Sequence, residues 1–247
     1  PLASRSAKRR GYTGAPMASP PVLRSASAGI VLAGRVFART HAARADGFAS
    51  DEALDEIALA HGALRVGSLG VTIAATSDGQ CATWSVRVQN VGSAPLRVES
   101  LGLGFTWQAP DVSHLRFLRQ GTQSWSFAGG AALDSAGTPS FPSGPWLRGF
   151  HHGSWEAPAD RAGWWESDGV TVLGAGAAAC SAGALESGLA FAVVYLRRDG
   201  DAVRIEVEQR VERPLDPGEA IELEPVRLAL GTDANALLEA HAEAQGV

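Results

Sequence analysis

The stretch that decides the fold is LAFAVVYLRRDGDAVRIEVEQRVE, residues 189–212. Asp199-Gly200 separates two runs of alternating character, and this dipeptide favours a tight hairpin turn because such turns need positive φ. The alternation predicts two antiparallel strands, over 189–197 and 202–212, with one face in solvent. In the second strand the apolar face holds Val203, Ile205, Val207 and Val211, and the solvated face holds Arg204, Glu206, Glu208, Arg210 and Glu212.

The remaining elements are predicted from the same kind of pattern. Further strands cover 83–89, 95–101, 115–118, 169–173 and 220–230. One helix is predicted over Ser50–His61, whose first turn is acidic. A second is predicted over Thr232–Gln245, with Thr232 able to cap it, Asp233 suited to its N-terminus and Gly246 able to end it. Strands and helices do not alternate, so the predicted fold class is mostly β, an antiparallel sandwich with a C-terminal helix.

Composition sets broad limits on the class of protein. The chain has 247 residues, of which 45% are hydrophobic, enough for a sizeable core. It lacks the run of about eighteen apolar residues that a membrane span needs. Cys81 and Cys180 are too few for a disulfide scaffold or a four-cysteine zinc site. We expect two buried free thiols, and a single bridge between them is the alternative.

Charge divides the chain into a basic head and an acidic body. Residues 1–49 carry eight basic and one acidic side chain, about +7, and the remainder about −12, which together give the net charge of −5. The acidic body argues against a nucleic-acid partner. The predicted division is a basic extension over 1–49, disordered or added in cloning, a β-sandwich over 50–231 and a linker helix over 232–247. The basic patch at 8–10 and the short apolar run at 28–33 imitate a signal peptide, so secretion is the alternative to a cytoplasmic location.

Aromatic residues are concentrated in the centre of the sequence. Residues 105–165 hold six of the seven Trp and five of the eight Phe. Within this region 128–163 has four Pro, seven Gly and no predicted strand, which is typical of a long functional loop. Tryptophans on such loops hold sugar rings by packing against their C–H faces. The alternative is that they cap the ends of the sandwich core.

One segment of this region carries a resemblance. Arg119-Gln120-Gly121-Thr122-Gln123-Ser124-Trp125-Ser126, after the predicted strand 115–118, resembles the NG-x-QSWS segment of glycoside hydrolase family 36, the α-galactosidases. Gln120 stands where the family has Asn. The closing stretch, from Leu215-Asp216-Pro217-Gly218-Glu219 to His241-Ala242, is similar to the end of that family's N-terminal supersandwich. The resemblance covers roughly 62–247.

The resemblance implies a galactose-mutarotase-like supersandwich in front of a catalytic TIM barrel. It implies that Trp125 walls the sugar site, on a loop shaped by Gln123, Ser124 and Ser126, and we add Trp155 as a weaker candidate. The family's two catalytic Asp belong to the barrel, which would follow Val247, so the chain is expected to be a fragment without catalytic residues. The expected partners are an α-galactoside or other carbohydrate and the chain's own barrel, and further copies of the chain are a candidate partner. No cofactor or metal is expected.

Other interpretations of the sequence stay open. A stand-alone carbohydrate-binding sandwich without catalysis is one, and a small mutarotase-like enzyme is another, with His151 or His152 as acid and Glu156 or Glu166 as base. His151-His152 is not expected to bind metal, because adjacent side chains of an extended loop point apart. Trp164-Trp165 is a further candidate sugar platform, but we expect at least one of the two in the core.

Overall fold

The computed structural model describes residues 35–44, 47–53, 57–58, 62–66, 68–78, 80–109, 111–121, 128–133, 163–185 and 191–246. The strands in these ranges are β1 (Arg35–Arg44), β2 (Gly47–Ala53), β3 (Ile57–Ala58), β4 (Gly62–Val66), β5 (Leu69–Ser77), β6 (Cys81–Asn90), β7 (Leu96–Gln108), β8 (Arg116–Arg119), β9 (Gly129–Ala132), β10 (Trp165–Asp168), β11 (Val170–Ala175), β12 (Ala178–Ala184), β13 (Phe191–Asp199), β14 (Ala202–Leu215), β15 (Ala220–Glu222) and β16 (Val226–Gly231). A 3-10 turn covers Val112–His114, and the helix α1 covers Ala234–Gln245.

Within the described ranges the strands form two sheets. The first sheet has the order β10–β13–β14–β7–β1–β2, with β3 also beside β1. The second has the order β4–β5–β6–β16–β12–β11–β8–β9, with β15 also beside β6. The strand pairs are antiparallel. The predicted fold class, a mostly β antiparallel sandwich with a C-terminal helix, is therefore confirmed.

The hairpin that decides the fold forms as predicted. Strands β13 and β14 pair from Asp199↔Ala202 to Phe191↔Arg210. Gly200 takes the left-handed conformation, with φ of 61°, which a residue with a side chain rarely adopts. The hairpin fixes the register of the first sheet, because β14 also pairs with β7 along most of its length.

The core lies between the two sheets, where each contributes the apolar face of its alternating strands. From the first sheet, β7 contributes Leu101, Leu103, Phe105 and Trp107, all 2% exposed or less. Opposite them, Trp84 of β6 lies with its ring centroid 4.9 Å from that of Phe105. Thus some of the clustered aromatic residues fill the sandwich, as the alternative interpretation of their role requires.

Several elements differ from the prediction. The helix over Ser50–His61 is wrong, because residues 50–53 belong to β2 and 57–58 form β3. The disordered head is wrong for Arg35–Arg44, which is a strand between β7 and β2. Pairing with β1 decides the structure of 50–53 and 57–58, although the segment 50–61 is rich in helix-forming Ala, Leu and Glu.

The predicted strand over 220–230 is two strands, β15 and β16. Between them, the backbone of Glu224 exchanges two hydrogen bonds with the side chain of Gln209 from the opposite sheet, at 2.8 and 2.9 Å. Gln209 is fully buried, so this pair of bonds satisfies both ends of its amide. The strand is therefore interrupted where these hydrogen bonds join the two sheets. The alternation of residues could not indicate this interruption.

The C-terminal helix α1 is held at both ends and along one face. Asp233, rather than Thr232, caps its N-terminus by accepting from the backbone N–H groups of Asn235 and Ala236. Gly246 ends it with φ of 80°. Leu237 packs with Val172, Ala179 and Ala229 on the outer face of the second sheet. This docking joins the end of the described chain to the sandwich.

We expect His241 to make the stability of the docked helix α1 depend on pH. It is 1% exposed, its Nε2 donates to the carbonyl of Ala184 at 3.1 Å, and its Nδ1 is buried without a hydrogen-bond partner. Burial lowers the pKa of His241 below 6.5, and the nearby guanidinium of Arg227 lowers it further. We therefore expect full stability at higher pH and a progressive loss as pH falls below 6.5, where the unfolded chain takes up the proton more readily.

Urea unfolding between pH 5 and 7.5 tests this expectation. His241→Gln keeps a side-chain donor but cannot titrate, so its stability should fall less steeply than that of the wild type at the acidic end. Identical slopes for the two proteins would show that His241 does not carry the effect.

The two cysteines are free, as expected. Cys180 is buried and burial raises the pKa of its thiol, whereas Cys81 is only half-buried and accepts from Nε of Arg227 at 3.1 Å. Among the described residues, no helix is both long and apolar enough to cross a membrane.

Candidate functional site

The predicted sugar-binding segment is attached to a β-hairpin of the second sheet. Strands β8 and β9 pair from Arg116↔Ala132 to Arg119↔Gly129, so residues 120–128 connect them. Gln123, Ser124, Trp125 and Ser126 belong to this connection and lie outside the described residues, as do Trp155, His151, His152 and Glu156. Their roles stay predictions.

The hairpin is joined to the other sheet at its loop end, where the connection begins. The backbone N–H of Gln120 donates to Oγ of Ser167 at 2.9 Å, and its carbonyl accepts from the N–H of Asp168 at 2.8 Å. Ser167 and Asp168 belong to β10, the edge strand of the first sheet. Phe117 of β8 and Trp165 of β10 also pack edge to face, with ring centroids 5.4 Å apart. This place, where β8 meets β10, is called the corner below.

A layer of charged side chains on the first sheet begins at the corner. Glu166 on β10, Tyr195 on β13 and Glu206 on β14 are neighbours in register, and Asp168 and Glu208 flank Val193 in the next row. The four carboxylates are only 3–5% exposed. The predicted solvated face of the second hairpin strand is therefore wrong at Glu206 and Glu208.

The electrostatics of this layer centre on Glu166. Burial raises the pKa of Glu166 to about 7, against the opposing attraction of Arg210 and Arg119. Burial likewise raises the pKa of Tyr195 to about 12, although its hydroxyl accepts from Arg210 at 2.9 Å. Arg119 is itself 8% exposed, and the charges of Glu166 and Asp168 oppose the lowering of its pKa by burial.

The layer can hold a proton near neutral pH, which is a property of acid–base sites and of structural networks alike. Of the four residues proposed from the sequence as a mutarotase-like acid and base, Glu166 is the one that the structure describes. Its side chain is buried, because the residue is only 3% exposed, and a sugar in solution cannot reach its carboxyl group. Among the described residues, no group of three or more His, Cys, Asp and Glu could hold a metal ion.

Trp164 and Trp165 are both buried and pack against other side chains of the sandwich. Trp165 is 8% exposed and belongs to the main core, which confirms that at least one of the pair packs there. Trp164 is 5% exposed, packs with Val193 and Tyr195 and lies under the guanidinium of Arg197, whose Cζ is 4.8 Å from the ring centroid. Trp165 begins β10 rather than the predicted strand 169–173, which is β11.

The corner residues were missed by sequence reasoning. The one available signal was β10 itself, whose sequence WESD has three polar residues although all four are buried. A polar strand that is buried on both faces indicates partners on both sides, because buried polar groups are hydrogen-bonded. Those partners come from residues 118–120 and 195–210, far away in sequence.

No family model matches the sequence, and no curated protein matches it. The fold is similar to that of several solved structures. They include a variant of the family 36 α-galactosidase AgaA from Geobacillus stearothermophilus in complex with stachyose, with 11% identity, a TM-score of 0.47 and coverage of 80% of this chain and 30% of that one. The galactosidase domain of the α-galactosidase–sucrose kinase AgaSK has 17% identity, a TM-score of 0.45 and coverage of 87% and 29%. The α-galactosidase from Lactobacillus brevis has 11% identity, a TM-score of 0.45 and coverage of 87% and 28%.

This chain thus spans less than a third of the length of these three enzymes. Identities of 11–17% and TM-scores below 0.5 describe a likeness and assign no activity to this chain.

Proposed function

We propose that this chain is the N-terminal sandwich domain of a retaining α-galactosidase-like glycoside hydrolase. In this proposal the domain supports a catalytic barrel and lines its sugar site with Trp125, and the two catalytic Asp belong to the barrel. Binding of α-galactosides such as raffinose and stachyose is the property to test first.

The observation that carries the proposal is the position of the QSWS segment. It lies in the connection of the β8–β9 hairpin, and the first residue of that connection, Gln120, is hydrogen-bonded to the opposite sheet. A hairpin held in this way suits the presentation of an aromatic side chain, because a fixed stem lowers the entropy lost on binding. An aromatic ring at that place provides an apolar surface for one face of a sugar and helps to position it.

The closing stretch gives separate support. The residues that resemble the end of the family's sandwich form β15, β16 and α1, and α1 is docked on the second sheet through Leu237 and His241. A docked terminal helix is suited to hold a following domain in a fixed orientation, which the proposed role of supporting a barrel requires.

The alternative is a stand-alone carbohydrate-binding sandwich without catalysis. Both functions give sugar binding at Trp125, so binding alone does not separate them. Hydrolysis of α-galactosides by this chain joined to the proposed barrel, but not by this chain alone, favours the α-galactosidase domain. Binding without hydrolysis in both favours the stand-alone module.

Replacing Trp125 tests the site directly. Trp125→Ala should weaken raffinose binding about tenfold or more, because the truncation removes most of the aromatic surface. The free energy of unfolding should change by no more than about 1 kcal/mol. Isothermal titration measures the first quantity and urea unfolding the second.

Trp125→Phe is the matched control, since it keeps an aromatic face and should retain part of the affinity. Trp155→Ala should have a smaller effect than Trp125→Ala. A large loss of stability with normal binding by the folded fraction would place Trp125 in the core and refute the assignment.

A further inference from the structure

The start of the QSWS connection is held by side chains from a different part of the sequence. The backbone ladder between β8 and β11 ends at Phe117↔Leu173. Beyond that pair two hydroxyls replace the ladder. Oγ1 of Thr171 donates to the carbonyl of Leu118 at 2.8 Å, and Oγ of Ser167 accepts from the N–H of Gln120 at 2.9 Å.

The hydroxyl of Ser167 makes both kinds of hydrogen bond. While it accepts from Gln120, it donates to the carbonyl of Val170 at 2.7 Å, and its contact with the carbonyl of Leu118 is longer, at 3.4 Å. Ser167 is 1% exposed and Thr171 is fully buried. Water therefore cannot replace these bonds, and each hydroxyl has a defined orientation.

Electrostatic attraction also holds the end of β8 against β10. Arg119, between Leu118 and Gln120, is attracted by Glu166 and Asp168, which stand on either side of Ser167. The N–H of Asp168 completes the tie by donating to the carbonyl of Gln120 at 2.8 Å. Both polar groups of the Gln120 backbone are thus fixed by β10 at the point where the chain leaves β8.

We propose that Ser167 and Thr171 are positioning residues for the QSWS connection: they set the direction in which the chain leaves β8 at Gln120 and thereby the place of Trp125 at the sugar site. The second part of this inference rests on the proposed function. The first part does not, because it concerns only how the connection is held.

Two pairs of variants test the inference on the full chain. Ser167→Ala removes the acceptor for Gln120, and Thr171→Val removes the donor to Leu118 with little change in volume. Thr171→Ser keeps the hydroxyl and should rescue. Ser181→Ala is the matched control, because Ser181 is a fully buried serine on β12, beside the β11 strand of Thr171, and its Oγ has no hydrogen-bond partner.

The first readout is the Kd for raffinose, measured well below the melting temperature of each variant. Ser167→Ala and Thr171→Val should raise the Kd roughly tenfold, since small displacements of a positioning group have effects of this size or larger. Thr171→Ser and Ser181→Ala should bind like the wild type. Wild-type affinity in both Ser167→Ala and Thr171→Val would overturn the inference while leaving the role of Trp125 intact.

The second readout needs no sugar. The contribution of Trp125 to acrylamide quenching is the difference between a protein and the same protein carrying Trp125→Phe. Removal of either hydroxyl should change that contribution, whereas Ser181→Ala should not. Changed quenching with no raffinose binding in the wild type would support the positioning role and refute the proposed function. Unchanged quenching would refute the positioning role.

Discussion

Trp84→Ala is expected to lower the free energy of unfolding by about 3–5 kcal/mol, the range for truncating a buried tryptophan. The side chain is 1% exposed and lies against Phe105 of the opposite sheet, with ring centroids 4.9 Å apart. Its indole N–H is buried without a hydrogen-bond partner, so the loss arises from the cavity and the missing contacts. Urea unfolding followed by circular dichroism measures the change.

A neighbour on the same strand provides the control for this prediction. Ser85 follows Trp84 on β6 but is exposed on the outer face, so Ser85→Ala should change stability by about 0.5 kcal/mol or less. If Trp84→Ala lost less than about 1 kcal/mol, the two sheets would not pack against each other through this residue, and the sandwich described above would be wrong.

Glu166→Gln is expected to change how stability depends on pH. The folded chain raises the pKa of Glu166 from 4.5 to about 7 by burial. Below pH 4.5 the carboxyl is protonated in both the folded and the unfolded chain. As pH rises towards 7, the unfolded chain releases its proton first, so the contribution of this group to stability falls, and above the folded pKa it changes no further.

The size of this loss follows from the shift in pKa and is about 3 kcal/mol. The difference in unfolding free energy between Glu166→Gln and the wild type should therefore move in favour of the variant by about this amount between pH 4 and pH 8. Urea unfolding at several pH values measures it. The exposed Glu222, ion-paired with Arg87 at 3.1 Å, gives the control variant Glu222→Gln. A difference that stays constant with pH would show that Glu166 is not held protonated by its burial.

The alternation of residues and the Asp-Gly turn predicted the β13–β14 hairpin, because both are local properties of the sequence. They could not indicate which face would be covered. Glu206 and Glu208 have the alternating pattern of a solvent-exposed strand face. They nevertheless lie in the same buried layer as Glu166 and Asp168. Burial of that face depends on parts of the chain that are distant in sequence.

The errors at the start of the chain have a related cause. Arg35–Arg44 is rich in Ala and Arg and has no clear alternation, so nothing local marks it as a strand. Its pairing with β7, whose residues lie about sixty positions later, decides its structure. Pairing with β1 likewise overrides the helical composition of Ser50–His61 at residues 50–53 and 57–58.

Part of the candidate site could likewise be predicted from local sequence, and part could not. The QSWS motif indicated Trp125 and its neighbours, since a resemblance is carried by adjacent letters. The hydroxyls of Ser167 and Thr171 that hold the start of that segment are 47 and 53 residues from their partners Gln120 and Leu118. No motif links them, and only the approach of β8 to β10 and β11 brings them together.

The most direct test of the central claim, that the sandwich presents an α-galactoside site at Trp125, is an equilibrium titration of the purified chain with two sugars. Raffinose carries an α-linked terminal galactose and lactose a β-linked one, and tryptophan fluorescence reports binding. Saturable binding of raffinose that is tighter than that of lactose, and that is lost in Trp125→Ala, is the expected result. Absence of raffinose binding, or equal binding of both sugars that survives Trp125→Ala, would contradict the claim.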